Sequence, residues 1–236
     1  MMKKILIKKK LSVTALFLAV CLNYMYSQSC SDGYTYFPEL PETTTILTGD
    51  SCLYNLDLDA LYDVLTANSL NYGSSIEVGV QTWKDGRLTG LVADYQPNGS
   101  GGVNAQLTSL PESFGNLTAL SFLYLEWNGL TSLPASFIQL TNLFSLTINN
   151  NWLSSLPNDI GNISNLFFLD IGYNQLTSIP ESICTLTNLG YLYLFNNNLT
   201  SVPDCMCSSL NLAWSDYDGG GYPYFAIGGN QLCDNI

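Results

Sequence analysis

The chain has no histidine, and only seven of its 236 residues are lysine or arginine. Without histidine, the side chain that most often moves protons near neutral pH is missing, and so is the centre of a catalytic triad. The shortage of cations is sharper than the total suggests. Lys3, Lys4, Lys8, Lys9 and Lys10 crowd the first ten residues, which leaves only Lys84 and Arg87. Nineteen acids face those two, a net of −17 beyond residue 27. Nucleic acid and anionic membrane are poor partners for such a surface. Simple solubility outside the cell accounts for the charge, and a cationic partner would suit it. Long hydrophobic runs are also scarce. Leu11 to Leu22 is mostly apolar but too short to span a bilayer comfortably. With the basic start before it and the small Ser27 after it, residues 1–27 read as a signal peptide. No nucleophile elbow or phosphate-cradling loop is present, since Gly99-Ser100-Gly101-Gly102 lacks the strand and helix such a loop needs. The sequence is therefore expected not to be an enzyme, and to need neither cofactor nor metal.

What the chain does have is repetition. Four copies of a 23-residue pattern begin at Leu107, Leu130, Leu153 and Leu176, and a fifth opens at Leu199. Their starts read LTSLP, LTSLP, LSSLP, LTSIP and LTSVP. A unit of this length cannot bury its apolar side alone and must stack on its neighbours. Mid-copy alternation, as in Leu123-Tyr124-Leu125-Glu126, predicts a short strand. Leu146/Ile148, Leu169/Ile171 and Leu192/Leu194 are the equivalents. An asparagine closes each strand, at 128, 151, 174 and 197, and its amide can bond the backbone of adjacent turns. The prolines at 111, 134, 157, 180 and 203 turn the chain. The stretch after each is too short for a free helix and predicts a 3₁₀ return. Columns of Ser109, Ser132, Ser155, Ser178 and Ser201 beside Thr108, Thr131, Ser154, Thr177 and Thr200 are expected to satisfy turn backbone. The competing reading is a hydroxyl ladder that orders water.

The form L-x-x-L-x-L-x-x-N-x-L resembles the leucine-rich repeat signature. The resemblance implies an α/β solenoid, a horseshoe with a parallel concave β-sheet, short 3₁₀ or loop segments on the convex side, and caps at both ends. Residues 28–86 would form a leader and cap, 87–204 the repeats, and 205–236 an atypical last repeat or cap. Leu56 to Leu70 has near-helical spacing and predicts the capping helix. Asp59, Ala60, Leu61, Trp83, Gly86 and Arg87 are similar to the cap of secreted, plant-type members, without the cysteine pair usual near that tryptophan. Pro97 to Asn104 and Asp216 to Tyr224 read as insertions.

Six cysteines follow residue 27, an even number that predicts disulfides in a secreted chain, and six allow 15 pairings. Cys184 and Cys207 each stand four residues after a proline, in adjacent copies. Stacking at roughly 5 Å therefore predicts Cys184–Cys207. Cys205–Cys233 would tie the C-terminal end, and Cys30–Cys52 the leader.

In such a solenoid the variable strand positions form the concave face. The expected ligand-binding residues are Asp94, Tyr95, Phe122, Tyr124, Glu126, Trp127, Asn149, Phe168, Asp170, Tyr173, Tyr191, Tyr193 and Phe195. Aromatics beside acids and amides suit a sugar or a peptide with basic residues. Mutual packing along the ladder is the competing explanation. The family resemblance implies a secreted or surface module that binds a protein or polysaccharide. The alternative is a structural or adhesive protein that uses the repeats as a rigid scaffold. Sequons occur at Asn98, Asn116, Asn162 and Asn198.

Overall fold

The computed structural model describes residues 29–96, 102–207 and 225–232. The expected signal peptide, the Asn98 sequon, the 216–224 insertion and Cys233 lie outside the described residues. Among the described residues there are ten strands: β1 (Tyr34–Tyr36), β2 (Thr44–Thr48), β3 (Cys52–Tyr54), β4 (Val80–Lys84), β5 (Arg87–Val92), β6 (Phe122–Tyr124), β7 (Ser145–Thr147), β8 (Phe168–Asp170), β9 (Tyr191–Tyr193) and β10 (Phe225–Ala226). Eight of them form one sheet in the order β10-β9-β8-β7-β6-β5-β4-β2, while β1 and β3 pair separately. From β5 to β10 every pairing is parallel.

Each copy contributes three residues of strand, and the inward pair is fully buried. Leu123, Leu125, Leu146, Ile148, Leu169, Ile171, Leu192 and Leu194 are all at most 1% exposed. The asparagines form the expected ladder. Asn151 Nδ2 donates to Leu125 O of the copy before (2.9 Å), and its Oδ1 accepts from Leu130 N (3.0 Å). Asn128, Asn174 and Asn197 repeat this pattern, and Asn230 extends it into the atypical last repeat. Each amide satisfies backbone that a three-residue strand leaves unpaired inside the coil. The return segments are 3₁₀ turns, at Glu112–Asn116, Ala135–Gln139, Ile160–Asn162, Glu181–Thr185 and Asp204–Cys207. Phe114 and Phe137 stack within the first two, with ring centroids 6.1 Å apart.

The N-terminal end is closed by helix α1 (Asn55–Ala67). Leu58, Leu61 and Leu65 are buried, and Leu56 faces solvent. β4 and β5 form a hairpin whose turn residues Asp85 and Gly86 both have positive φ (50° and 76°), the geometry that suits strand twist. The helix carboxylate that locks this cap is Asp57. Asp57 is wholly buried, receives Arg87 Nε and Nη2 at 2.9 Å each, and accepts from Leu88 N. Arg87 also lies over the Tyr54 ring at 4.5 Å. Asp59 is one turn-step away and points outward.

Two expectations need correction. Cys30 pairs with Cys52 as expected, but Cys184 pairs with Cys205, with Cα atoms 5.7 Å apart, and not with Cys207. The pairing of Cys205 with Cys233 falls with it. The cause is a stagger between the two sides of the coil. On the strands, residues 23 apart stand in register, as Leu123 does with Leu146. On the convex side, the residue four after one proline faces the residue two after the next. Gly161 N donates to Ser182 Oγ at 3.3 Å, and a side chain at Gly115 would strike Ser136. Cys184 and Cys205 occupy that same pair of positions. The second correction concerns the hydroxyl columns. Thr131, Ser132, Ser154, Ser155, Thr177, Ser178, Thr200 and Ser201 are exposed. Their side chains bond no turn backbone among the described residues. Thr108 alone bonds a protein group, Asn68 Oδ1.

Candidate binding face

The concave sheet carries two rows of variable side chains. One row runs Val92, Tyr124, Thr147, Asp170, Tyr193, as the strand register sets it. The next row, two residues on in each strand, contains Glu126, Asn149, Gly172 and Phe195. Asn149 sits between the acids and donates to both, to Glu126 Oε1 at 3.1 Å and to Asp170 Oδ2 at 2.7 Å. Asp170 Oδ1 accepts from Gly172 N at 3.0 Å. Asp94 is buried to 8% exposure; its Oδ2 accepts from Gln96 Nε2, and its Oδ1 has no hydrogen-bond partner among the described residues. Burial raises the Glu126 carboxyl above its ordinary range, and the charges of Asp94 and Asp170 add to the effect. Burial also raises Asp170, against the bonds from Gly172 and Asn149. Among the described residues one salt bridge forms, Arg87 at the start of β5 with Asp57, and it includes none of these acids. The central carboxylates are thus balanced by amides and by no cation among the described residues.

The aromatics divide into packed and exposed sets. Phe168, Tyr191, Tyr193 and Phe195 pack on one another at centroid separations of 5.4–6.0 Å. Tyr193 is 9% exposed. This part of the expected site is held by cross-strand packing. Gly172 lies under the Phe195 ring, where a Cβ would collide with it. Tyr95 and Tyr124 are half-buried. Phe122, Phe144 and Phe167 form a ring ladder at the strand starts, with centroids 6.2 and 5.0 Å apart, and Phe167 joins it to Tyr191 of the packed set at 5.5 Å.

Trp127 stands apart from the sheet face, and Tyr173 meets it only edge-on at Phe195, with centroids 5.1 Å apart. They occupy the turn after the strand, with φ of 59° and 51°. Asn150 and Asn196 hold the same position in the other copies, with φ of 54° and 52°. Asparagine tolerates this left-handed conformation, whereas a bulky side chain there costs on the order of 1 kcal/mol or more. Trp127 and Tyr173 are 57% and 50% exposed, and beside them Trp152 is 58% exposed. Sequence reasoning missed Trp152, because its position follows the strand asparagine and not the L-x-L alternation. The signal available was its place in Asn-Asn-Asn-Trp-Leu, where the other copies carry Gly129, Gln175 and Asn198. Among the described residues no cluster of three acidic or sulfur side chains has metal-binding geometry.

The geometry is that of a leucine-rich repeat solenoid with an open, acidic and aromatic inner face. Residues 164–210 match a family model described as leucine rich repeats in two copies. No curated protein sequence matches the chain. Several solved structures share the fold. A plant ice-binding protein is 23% identical with a TM-score of 0.59, over 75% of this chain and 57% of its own. The ectodomain of the receptor kinase SOBIR1 from Arabidopsis thaliana is 24% identical with a TM-score of 0.58, over 76% of this chain and 95% of its own. The PEPR1–AtPEP1 structure is 21% identical with a TM-score of 0.56, over 75% of this chain and 25% of its own. The chain thus spans little more than half the length of the ice-binding protein. It resembles extracellular receptor ectodomains in fold.

Proposed function

We propose that the protein is a secreted or surface recognition module whose concave face takes a protein or peptide ligand bearing lysine or arginine. One observation carries this reading: Glu126 and Asp170 are partly desolvated, bridged by Asn149, and matched by no cation among the described residues. A ligand cation would supply the missing charge in a site where water is already partly displaced. Residues such as Tyr124 and Phe168 flank the carboxylates and can pack on the aliphatic stem of that side chain. Two disulfides suit an oxidising compartment, and no helix among the described residues is long and apolar enough to cross a membrane. The open face offers recognition and no cleft that would exclude water, which favours binding over catalysis. A peptide array of varied charge tests the reading. Basic peptides should be captured by the wild-type protein and lost by a Glu126→Gln/Asp170→Asn variant of unchanged circular dichroism. Capture indifferent to peptide charge would refute it.

The exposed hydroxyl columns favour a second reading, a surface that orders water. Eight unbonded Ser and Thr side chains repeat at the spacing of stacked strands, about 5 Å. Thermal hysteresis measured on the purified protein decides it, and freezing at the melting point would dismiss it.

A further inference from the structure

Beside the turn that follows the strands, Trp127, Trp152 and Tyr173 share a groove of about 400 Å³. Its remaining walls are amides, including Gln106, Asn150, Gln175 and Asn196, and no charged residue among the described residues lines it. We infer that this groove is a binding site for a neutral polysaccharide, separate from the carboxylates of the concave face.

Three observations carry the inference. The two tryptophans have no ring partner among the described residues and are more than half exposed, so mutual packing does not account for them. Trp127 and Tyr173 are kept in a left-handed turn where the other copies use asparagine, so the chain accepts strain to present an aromatic ring. These two positions are two repeats apart, a backbone separation of about 10 Å, so an extended glycan can lie across both rings. The apolar C–H face of a sugar packs on the electron-rich face of an aromatic ring. Its hydroxyls need partners that both donate and accept, which amides supply. The Gln175 side chain makes no hydrogen bond among the described residues. Asn150 donates to Asn149 Oδ1 at 2.6 Å and keeps its own oxygen open. A cationic ligand finds no counter-charge in this groove, and a lipid tail would meet polar walls.

Affinity electrophoresis in native gels tests the site, with hydroxyethyl cellulose, laminarin and yeast mannan as probes. The variants are Trp127→Asn, which installs the residue already tolerated at 150 and 196, Trp152→Ala, and Glu126→Gln on the concave face. The expected result is retardation by at least one polysaccharide, weakened roughly tenfold by each tryptophan change and unaltered by Glu126→Gln. Retardation by none of the three overturns the inference, as does retardation that neither tryptophan change weakens. Equal weakening by Glu126→Gln also overturns it, because the site would then belong to the concave face. The peptide-array result is independent of each of these outcomes.

Discussion

Glu126 and Asp170 set a conflict between stability and recognition. Both hold a proton more readily in the folded protein than in the unfolded chain. Their ionisation therefore opposes folding at neutral pH, and the opposition fades as the pH falls through the carboxylate range. Glu126→Gln and Asp170→Asn should each raise the melting temperature at pH 7. That gain should vanish in acid, where the wild-type groups are already neutral. Thermal melts at both pH values check this, and a gain that persists in acid would place its origin in packing. Asp57, unlike these two acids, has a cation of the chain as its partner. It is wholly buried and answers Arg87 in two bonds. Arg87→Ala would strand it, at a cost of about 3 kcal/mol in urea unfolding. Arg87→Lys should recover only part of this, since one ammonium cannot make both bonds.

The repeating element explains what was legible in the sequence. Leu-x-Leu alternation and the strand asparagine are short-range signals, and both reappear in the structure as buried leucines and an amide ladder. Asn151→Ala should leave Leu130 N unpaired, with Leu125 O keeping only its bond from Asn128, and cost about 2 kcal/mol, measured by chemical denaturation. The disulfide partner was not legible, because the 23-residue period holds on the strands while the convex turns face each other at a separation of 21. The signal was present in the small pairs Gly115/Ser136 and Gly161/Ser182, but only the tilt of the turns gives those pairs meaning. Peptide mapping of the unreduced protein should return Cys184 joined to Cys205. A Cys205→Ser change should cost about 3 kcal/mol, as expected for closing a loop of this length. The cap showed the same limit: helix spacing located α1, and only the folded hairpin shows that Asp57, one residue after Leu56, is the acid Arg87 reaches.

At the scale of the molecule, stacking sorts side chains that look equivalent in the sequence. Tyr193 and Trp127 are both outward aromatics of the strand region, yet one is 9% exposed and the other 57%. The expected site is accordingly divided. Phe168, Tyr191, Tyr193 and Phe195 build a packed aromatic floor, the acids and Asn149 form a polar centre, and Trp127 and Tyr173 belong to the outer groove. Tyr193→Ala should therefore destabilise the fold by roughly 3 kcal/mol, whereas Trp127→Asn should leave unfolding almost unchanged. The most direct measurement is a titration of the wild-type protein and the Glu126→Gln/Asp170→Asn variant with one array-selected basic peptide at low and moderate salt. The account predicts saturable binding that weakens with salt and falls at least tenfold in the variant. Equal affinity in the two proteins would contradict it.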